Sequence, residues 1–127
     1  MIKLSPEKAA IKVVNNYIKG LNARDQEIIN DNLHFPHIRI MKDGTFCEWK
    51  TAKEYLCEFE NRLRDDGWDH TVLTNIDAEI ISKTKVHVII NFERYRTNAQ
   101  LIDSYRSFYI VIKTNGYWGI KIGSGTG

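Results

Sequence analysis

The chain has 127 residues, 43% hydrophobic and 27% charged, with a formal net charge of +2. That length fits a single domain, residues 1–127, with one sizeable core. A positive charge so slight and so dispersed, with Arg62 and Arg64 set among Glu58, Glu60, Asp65 and Asp66, makes no basic stripe and argues against nucleic acid.

Ser5 is a good N-cap, Pro6 suits the first helical position, and Glu7 suits the positive end of the dipole. Ala10, Val13, Val14, Tyr17, Ile18 and Leu21 then recur at helical spacing, and Gly20 and Asn22 mark the end of a first predicted helix. A short second helix is predicted from Asp25 to Leu33. A hairpin follows, "HIRIM" and "TFCEW" around the turn residues Asp43 and Gly44. Thr51 and Glu54 form a capping box for a third helix whose apolar face is Ala52, Tyr55, Leu56, Phe59 and Leu63.

From Trp68 the period changes to two. Strands are predicted at Trp68 to Ile81, Lys85 to Arg96, Ser104 to Lys113 and Tyr117 to Gly123. Asn115-Gly116 is a strong hairpin signal, and "GSGTG" reads as a frayed tail. Helices segregated from a run of antiparallel strands define an α+β domain. A curved sheet around the first helix makes a cone with a pocket at its open end.

The first helix, "HFPHIRI" after the second, "GWDHT" at the start of the third strand and the ending "NGYWGIKIGS" resemble the NTF2-like superfamily, in particular its SnoaL-like branch, over nearly the whole chain. The resemblance implies an NTF2-like (cystatin-like) cone, three N-terminal helices and a hairpin packed on a curved antiparallel sheet. It leaves chemistry open, since one fold hosts many functions. Ketosteroid-isomerase-like members carry a general-base aspartate just before a proline at the start of the first strand; here Phe35 precedes Pro36, with His34 and His37 beside it. Tyr17 resembles the tyrosine that holds an oxyanion in such enzymes, although a tyrosine on an apolar helical face is more often core.

Strand alternation gives a reading that is independent of the family. In the third strand Trp68, Val72, Ile76, Ala78 and Ile80 share a face with His70 and Thr74. In the fourth, Val86, Val88, Ile90 and Phe92 share one with Arg94 and Arg96. A three-residue loop between them sets Ile80 opposite Val86, Val72 opposite Arg94 and His70 opposite Arg96. His70 and Arg94 are then polar residues on inward faces near the cone's mouth, unless His70 is a core histidine and Arg94 pairs with Asp103 or Glu48. Pro36 is tolerated where a short first strand begins. With Ile38 and Ile40 toward the core, His37 points away as a rim residue, and His34 sits at the corner as a pocket member.

The expected site is therefore His34, His70 and Arg94 as acid/base and anion-holding groups, with Tyr17, Trp49, Trp68, Arg96 and His37 as ligand contacts. Imidazole suits proton transfer near neutrality, and an arginine suits an anionic oxygen. The expected function is binding of a small, partly apolar, oxygenated molecule. If catalytic, the domain is a cofactor-free isomerase, dehydratase or lyase; the alternative is a non-catalytic ligand-binding or association domain. No metal site is expected, since His34 and His37 bracket a non-helical Phe35-Pro36. No cofactor is expected either, because the chain has no glycine-rich phosphate loop. A fifth strand apolar on both faces suggests a homodimer. Cys47 and Cys57 make no disulfide framework. With no signal-peptide pattern and no membrane-length apolar run, the expected compartment is the cytoplasm.

Overall fold

A computed structural model describes residues 4–127. Helix α1 runs Pro6–Ala23, with the Ser5 hydroxyl accepting from the Lys8 N–H at 3.3 Å. Helix α2, Gln26–Asn32, is capped by Asp25, and Gly20 gives it close approach: a Cβ there would lie 2.9 Å from Ile28 Cγ2. Strand β1, Leu33–Ile40, continues from it without a loop, and β2 is Phe46–Trp49. Helix α3 is Ala52–Leu63, with the Thr51 hydroxyl accepting from the Glu54 N–H at 3.1 Å. The remaining strands are β3 Trp68–Ser82, β4 Lys85–Arg96, β5 Leu101–Thr114 and β6 Tyr117–Gly125. Among the described residues no helix is long and apolar enough to cross a membrane.

The six strands form one curved, unclosed sheet in the order β2-β1-β6-β5-β4-β3. The hairpin is therefore part of the sheet. β1 joins it by pairing parallel with β6, and every other neighbouring pair is antiparallel. The core lies between the concave face and the helices. Val86, Val88 and Ile90 of β4 and Val111 of β5 meet Val14, Tyr17 and Leu21 of α1 and Tyr55 and Phe59 of α3, all buried.

Several boundaries differ from the sequence reading. β5 begins at Leu101, because Thr97–Gln100 alone make the turn, with the Arg96 N–H donating to the Gln100 carbonyl at 2.9 Å. "GSGTG" does not fray: β6 pairs as far as Ser107 with Gly125, where a side chain would meet Ser107 Oγ. β1 begins at Leu33, upstream of Pro36. The proline is exposed, comes after a cis peptide, and lies where β6 pairing is interrupted and β2 pairing has not begun, so no ladder bond misses its N–H.

Candidate functional site

Three departures from regular alternation decide what the cone contains. Ile80 pairs with Val86 as expected, but β3 bulges between Trp68 and His70, so His70 pairs with Tyr95 and Thr71 with Arg94. A second shift comes after Leu73. The expected pairings of Val72 with Arg94 and of His70 with Arg96 are corrected accordingly, because one extra residue exchanges the faces of a strand. Trp68 and Thr71 face inward, joined by a 3.0 Å bond from the indole N–H to the threonine hydroxyl. His70 turns outward. Its Nδ1 lies 2.9 Å from the Asp69 carboxylate, its ring stacks on Tyr95, and its side chain is 38% exposed. Arg96 lies beside Gly67 at the end of β4, half-buried.

In β1 the expectation for His37 is reversed. His37 is fully buried and Arg39 is 8% exposed, whereas Ile40 is 42% exposed. Leu33 and the partly buried Phe35 occupy the same inward face, and Trp49 packs opposite His37. The isoleucines belong instead to an apolar outer face, where Ile38 pairs with Ile122 and Ile122 with Ile110.

In β6 the shift falls between Ile120 and Ile122. It presents Gly123, rather than Ile122, beneath Arg39. A Cβ on Gly123 would stand 2.6 Å from Arg39 Nε and 3.0 Å from its Cδ. Gly123→Ala is therefore expected to cost about 1–3 kcal/mol, measured by urea unfolding.

These shifts gather one buried polar cluster. Arg39 Nη2 donates to the Tyr17 and Tyr55 hydroxyls, each at 2.8 Å, and Nε donates to His37 Nε2 at 3.2 Å. The two hydroxyls also bond each other. His37 accepts at Nε2, so its proton is on Nδ1, which donates to the Ile120 carbonyl at 3.2 Å. The guanidinium lies 5.3 to 5.9 Å from the ring centres of Tyr17, Tyr55 and Tyr109, a favourable setting for a cation. Burial holds all three phenols above their ordinary range, Tyr109 at about 12. Burial first, and then the Arg39 charge, hold His37 well below the usual imidazole value. Desolvation works against the Arg39 charge, but the surrounding tyrosines outweigh it and its pKa is raised.

Arg94 lies beside this cluster, 5% exposed, its guanidinium 4.5 Å from the Tyr105 ring centre and within 5.6 Å of those of Phe59 and Phe92. Its Nε is buried without a hydrogen-bond partner. Asp103 is its cross-strand neighbour, yet the aspartate accepts from the Ser104 N–H at 2.8 Å and makes no ion pair. Tyr17, Arg39, Phe59, Arg94 and Tyr109 enclose a cavity of only about 10 Å³, a single water at most. Outside it, at the mouth, an open hollow of about 720 Å³ is lined by Met41, Lys42, Thr45, Arg62, Thr126 and Gly127. Gly127 separates the hollow from Arg94 and Phe92.

His34 is buried at the other end of β6. Its Nε2 lies 3.1 Å from the Tyr117 carbonyl and 3.2 Å from that of Ile112, and burial lowers its pKa. Of the expected residues, Tyr17, Trp49 and His37 thus meet around Arg39, with Arg94 adjoining. Trp68 joins through Phe59, at a ring separation of 5.1 Å. His34, His70 and Arg96 lie elsewhere. Sequence reasoning missed Arg39, Tyr109 and Arg62, and read Tyr55 only as one of the aromatic residues on the apolar face of α3. A usable signal existed: tyrosines on apolar faces need a polar partner, and Arg39 shares the face of His37.

A helix-filled cone of six curved strands is the architecture of NTF2-like, or cystatin-like, proteins. The chain belongs to that class: residues 7–124 match the family of NTF2-like proteins DUF6841. Solved structures agree. It is similar to an NTF2-like protein of unknown function from Shewanella oneidensis MR-1 (TM-score 0.74, 14% identity, 96% of this chain and 99% of that one). It is similar also to a cystatin-like-fold protein from Nostoc punctiforme PCC 73102 (0.75, 13%, 98% and 94%). A hexachlorocyclohexane dehydrochlorinase, LinA Type2, shares the fold as well (0.66, 16%, 93% and 82%). No curated protein matches the sequence.

Proposed function

We propose that this domain binds a small, partly apolar, oxygenated molecule at the mouth of its cone. The observation that supports this reading is Arg94: a buried guanidinium, walled by aromatic rings, with an unused Nε donor and an open hollow on the far side of Gly127. Ligand sites are typically apolar with a few placed polar groups, and a buried donor without a partner is costly. Binding has more support than proton transfer. His34 and His37 are buried, held in the neutral form and bonded to backbone carbonyls, and the His70–Asp69 pair lies outside the cone. Isomerase, dehydratase or lyase chemistry has the dehydrochlorinase as a structural neighbour, a likeness of fold.

The test is a thermal-shift screen of aromatic and aliphatic acids, phenols and ketones. A binder should raise the melting temperature, and crystals grown with it should show it at the mouth against Arg94. If no compound shifts the melting temperature and soaked crystals keep the mouth as it is, the binding reading fails. His70→Gln should leave the affinity of any binder unchanged.

We propose also that the domain is a homodimer through the convex side of the sheet. Ile38, Ile122 and Ile110 form a cross-strand row there, and Phe108 pairs with Ile89 in the next. Sedimentation equilibrium at micromolar concentration should give twice 14.8 kDa; a monomer would rule this out.

A further inference from the structure

Three guanidinium groups lie at one end of the cone. Arg39 and Arg94 are buried, and Arg62 of α3 is half-buried at the hollow. Among the described residues the one ion pair is His70–Asp69, so none of the three has a carboxylate within 4.0 Å. Arg39 is satisfied by phenols and an imidazole. Arg62 and Arg94 are not fully so: Arg62 Nη1 donates only to the Met41 sulfur at 3.6 Å, their guanidinium carbons stand 5.5 and 5.6 Å from the Phe59 ring centre, and each has a buried Nε without a hydrogen-bond partner.

The nearby carboxylates do not compensate. Asp43, on the hairpin at the hollow, accepts from the Thr45 N–H at 2.9 Å. Glu58, one turn before Arg62, has a buried Oε2 without a hydrogen-bond partner but lies beyond ion-pair distance of it. Two like charges near one ring, with unused donors and no carboxylate within 4.0 Å, repel each other. A neutral acceptor would satisfy a donor and leave the repulsion. An oxyanion would relieve both.

Resting on the binding reading above, we infer that the ligand's polar end is an oxyanion, a carboxylate or phosphate ester on an apolar body, clamped by Arg62 and Arg94 in the place now taken by Thr126 and Gly127. Those two residues are the obstacle. A Cβ on Gly127 would lie 3.0 Å from Arg94 Nη2. Their main attachment is at Thr126, whose N–H donates to the Arg106 carbonyl at 3.0 Å and whose hydroxyl accepts from the Arg106 N–H at 3.1 Å. Displacing them breaks few bonds, and the anion supplies charge-assisted ones in return.

The test uses three probes of matched shape: phenylacetate, phenyl phosphate and neutral phenylacetamide, titrated by calorimetry. At least one anion should bind about tenfold or more tightly than the amide, and which one does so distinguishes carboxylate from phosphate. Arg62→Met and Arg94→Met should each weaken that anion about ten- to a hundredfold and weaken the amide much less. Added salt should weaken the anion alone. If Arg94→Met does not fold, half-buried Arg62→Met carries the test. Equal affinity for amide and anions, or anion binding indifferent to both substitutions, overturns the clamp while the cone-binding reading stands. Failure of all three probes to bind at millimolar concentration overturns the clamp, and the broader thermal-shift screen decides the cone-binding reading.

Discussion

Arg39→Ala is expected to cost about 3–5 kcal/mol, a large share of a small domain's stability. Truncation empties the centre of the cone and removes three donated hydrogen bonds at once, two to tyrosine oxygens and one to His37. Arg39→Met refills most of the volume but supplies no donor, so its expected cost is smaller, about 1–3 kcal/mol. The difference between the two substitutions separates packing from hydrogen bonding. Arg39→Met should also raise the His37 pKa, since the Arg39 charge is the second cause, after burial, of its depression. Urea unfolding gives the first quantity and imidazole NMR titration the second. An Arg39→Met variant as stable as the parent would show that the cluster's hydrogen bonds contribute nothing net.

Stability should fall steeply as the pH drops below about 6.5. His34 and His37 both have folded-state pKa values below the ordinary imidazole value, with burial as the first cause in each. The sign comes from proton uptake. Below the unfolded pKa the unfolded chain gains protons that the folded chain refuses. The stability is therefore complete above about pH 6.5 and is lost as pH falls toward the folded values, at a slope of at most about 1.4 kcal/mol per pH unit for each histidine. Unfolding in urea at about pH 7.5, 6.5 and 5.5 measures the slope. His37→Gln should remove the larger part of it, whatever that substitution does to stability at neutral pH. A slope unchanged in His37→Gln would mean that the buried imidazole does not set the acid limit.

The fold was largely legible in the sequence because caps, turns and periodicity are local. Ser5, Asp25 and Thr51 each cap the helix they precede, and Asn115-Gly116 forms the tight turn its identity demands. The site was less legible because a site depends on parity, and parity is not local. Asp69 and Thr74 look like ordinary strand residues, yet each adds one position to β3 and turns the residues after it to the opposite face. His70 leaves the cone for that reason. In β1 both faces carry apolar side chains, so alternation alone does not say which face is inner. Trp49, the tyrosines of α1, α3 and β5, and Gly123 across the sheet make that choice together. Arg94 was placed correctly as an inward residue because β4 alternates without interruption from Val86 to Arg94.

The shift in β6 has a consequence for how such cones diversify. Ile120 and Gly123 both face inward because one extra residue lies between them. Losing that one extra residue would restore plain pairing and leave Gly123 beneath Arg39, whereas gaining a second, with a single residue still bulged, would slide Ile122 into its place. Such a gain would recast the lining without any substitution. Two descendants of one ancestor can therefore hold different chemistry while every helix and most of the sheet stay in step. Substitutions compared column by column would then pair an inner residue of one chain with an outer residue of the other. Inheritance of the cone's interior is carried by the length of β6 as well as by its letters.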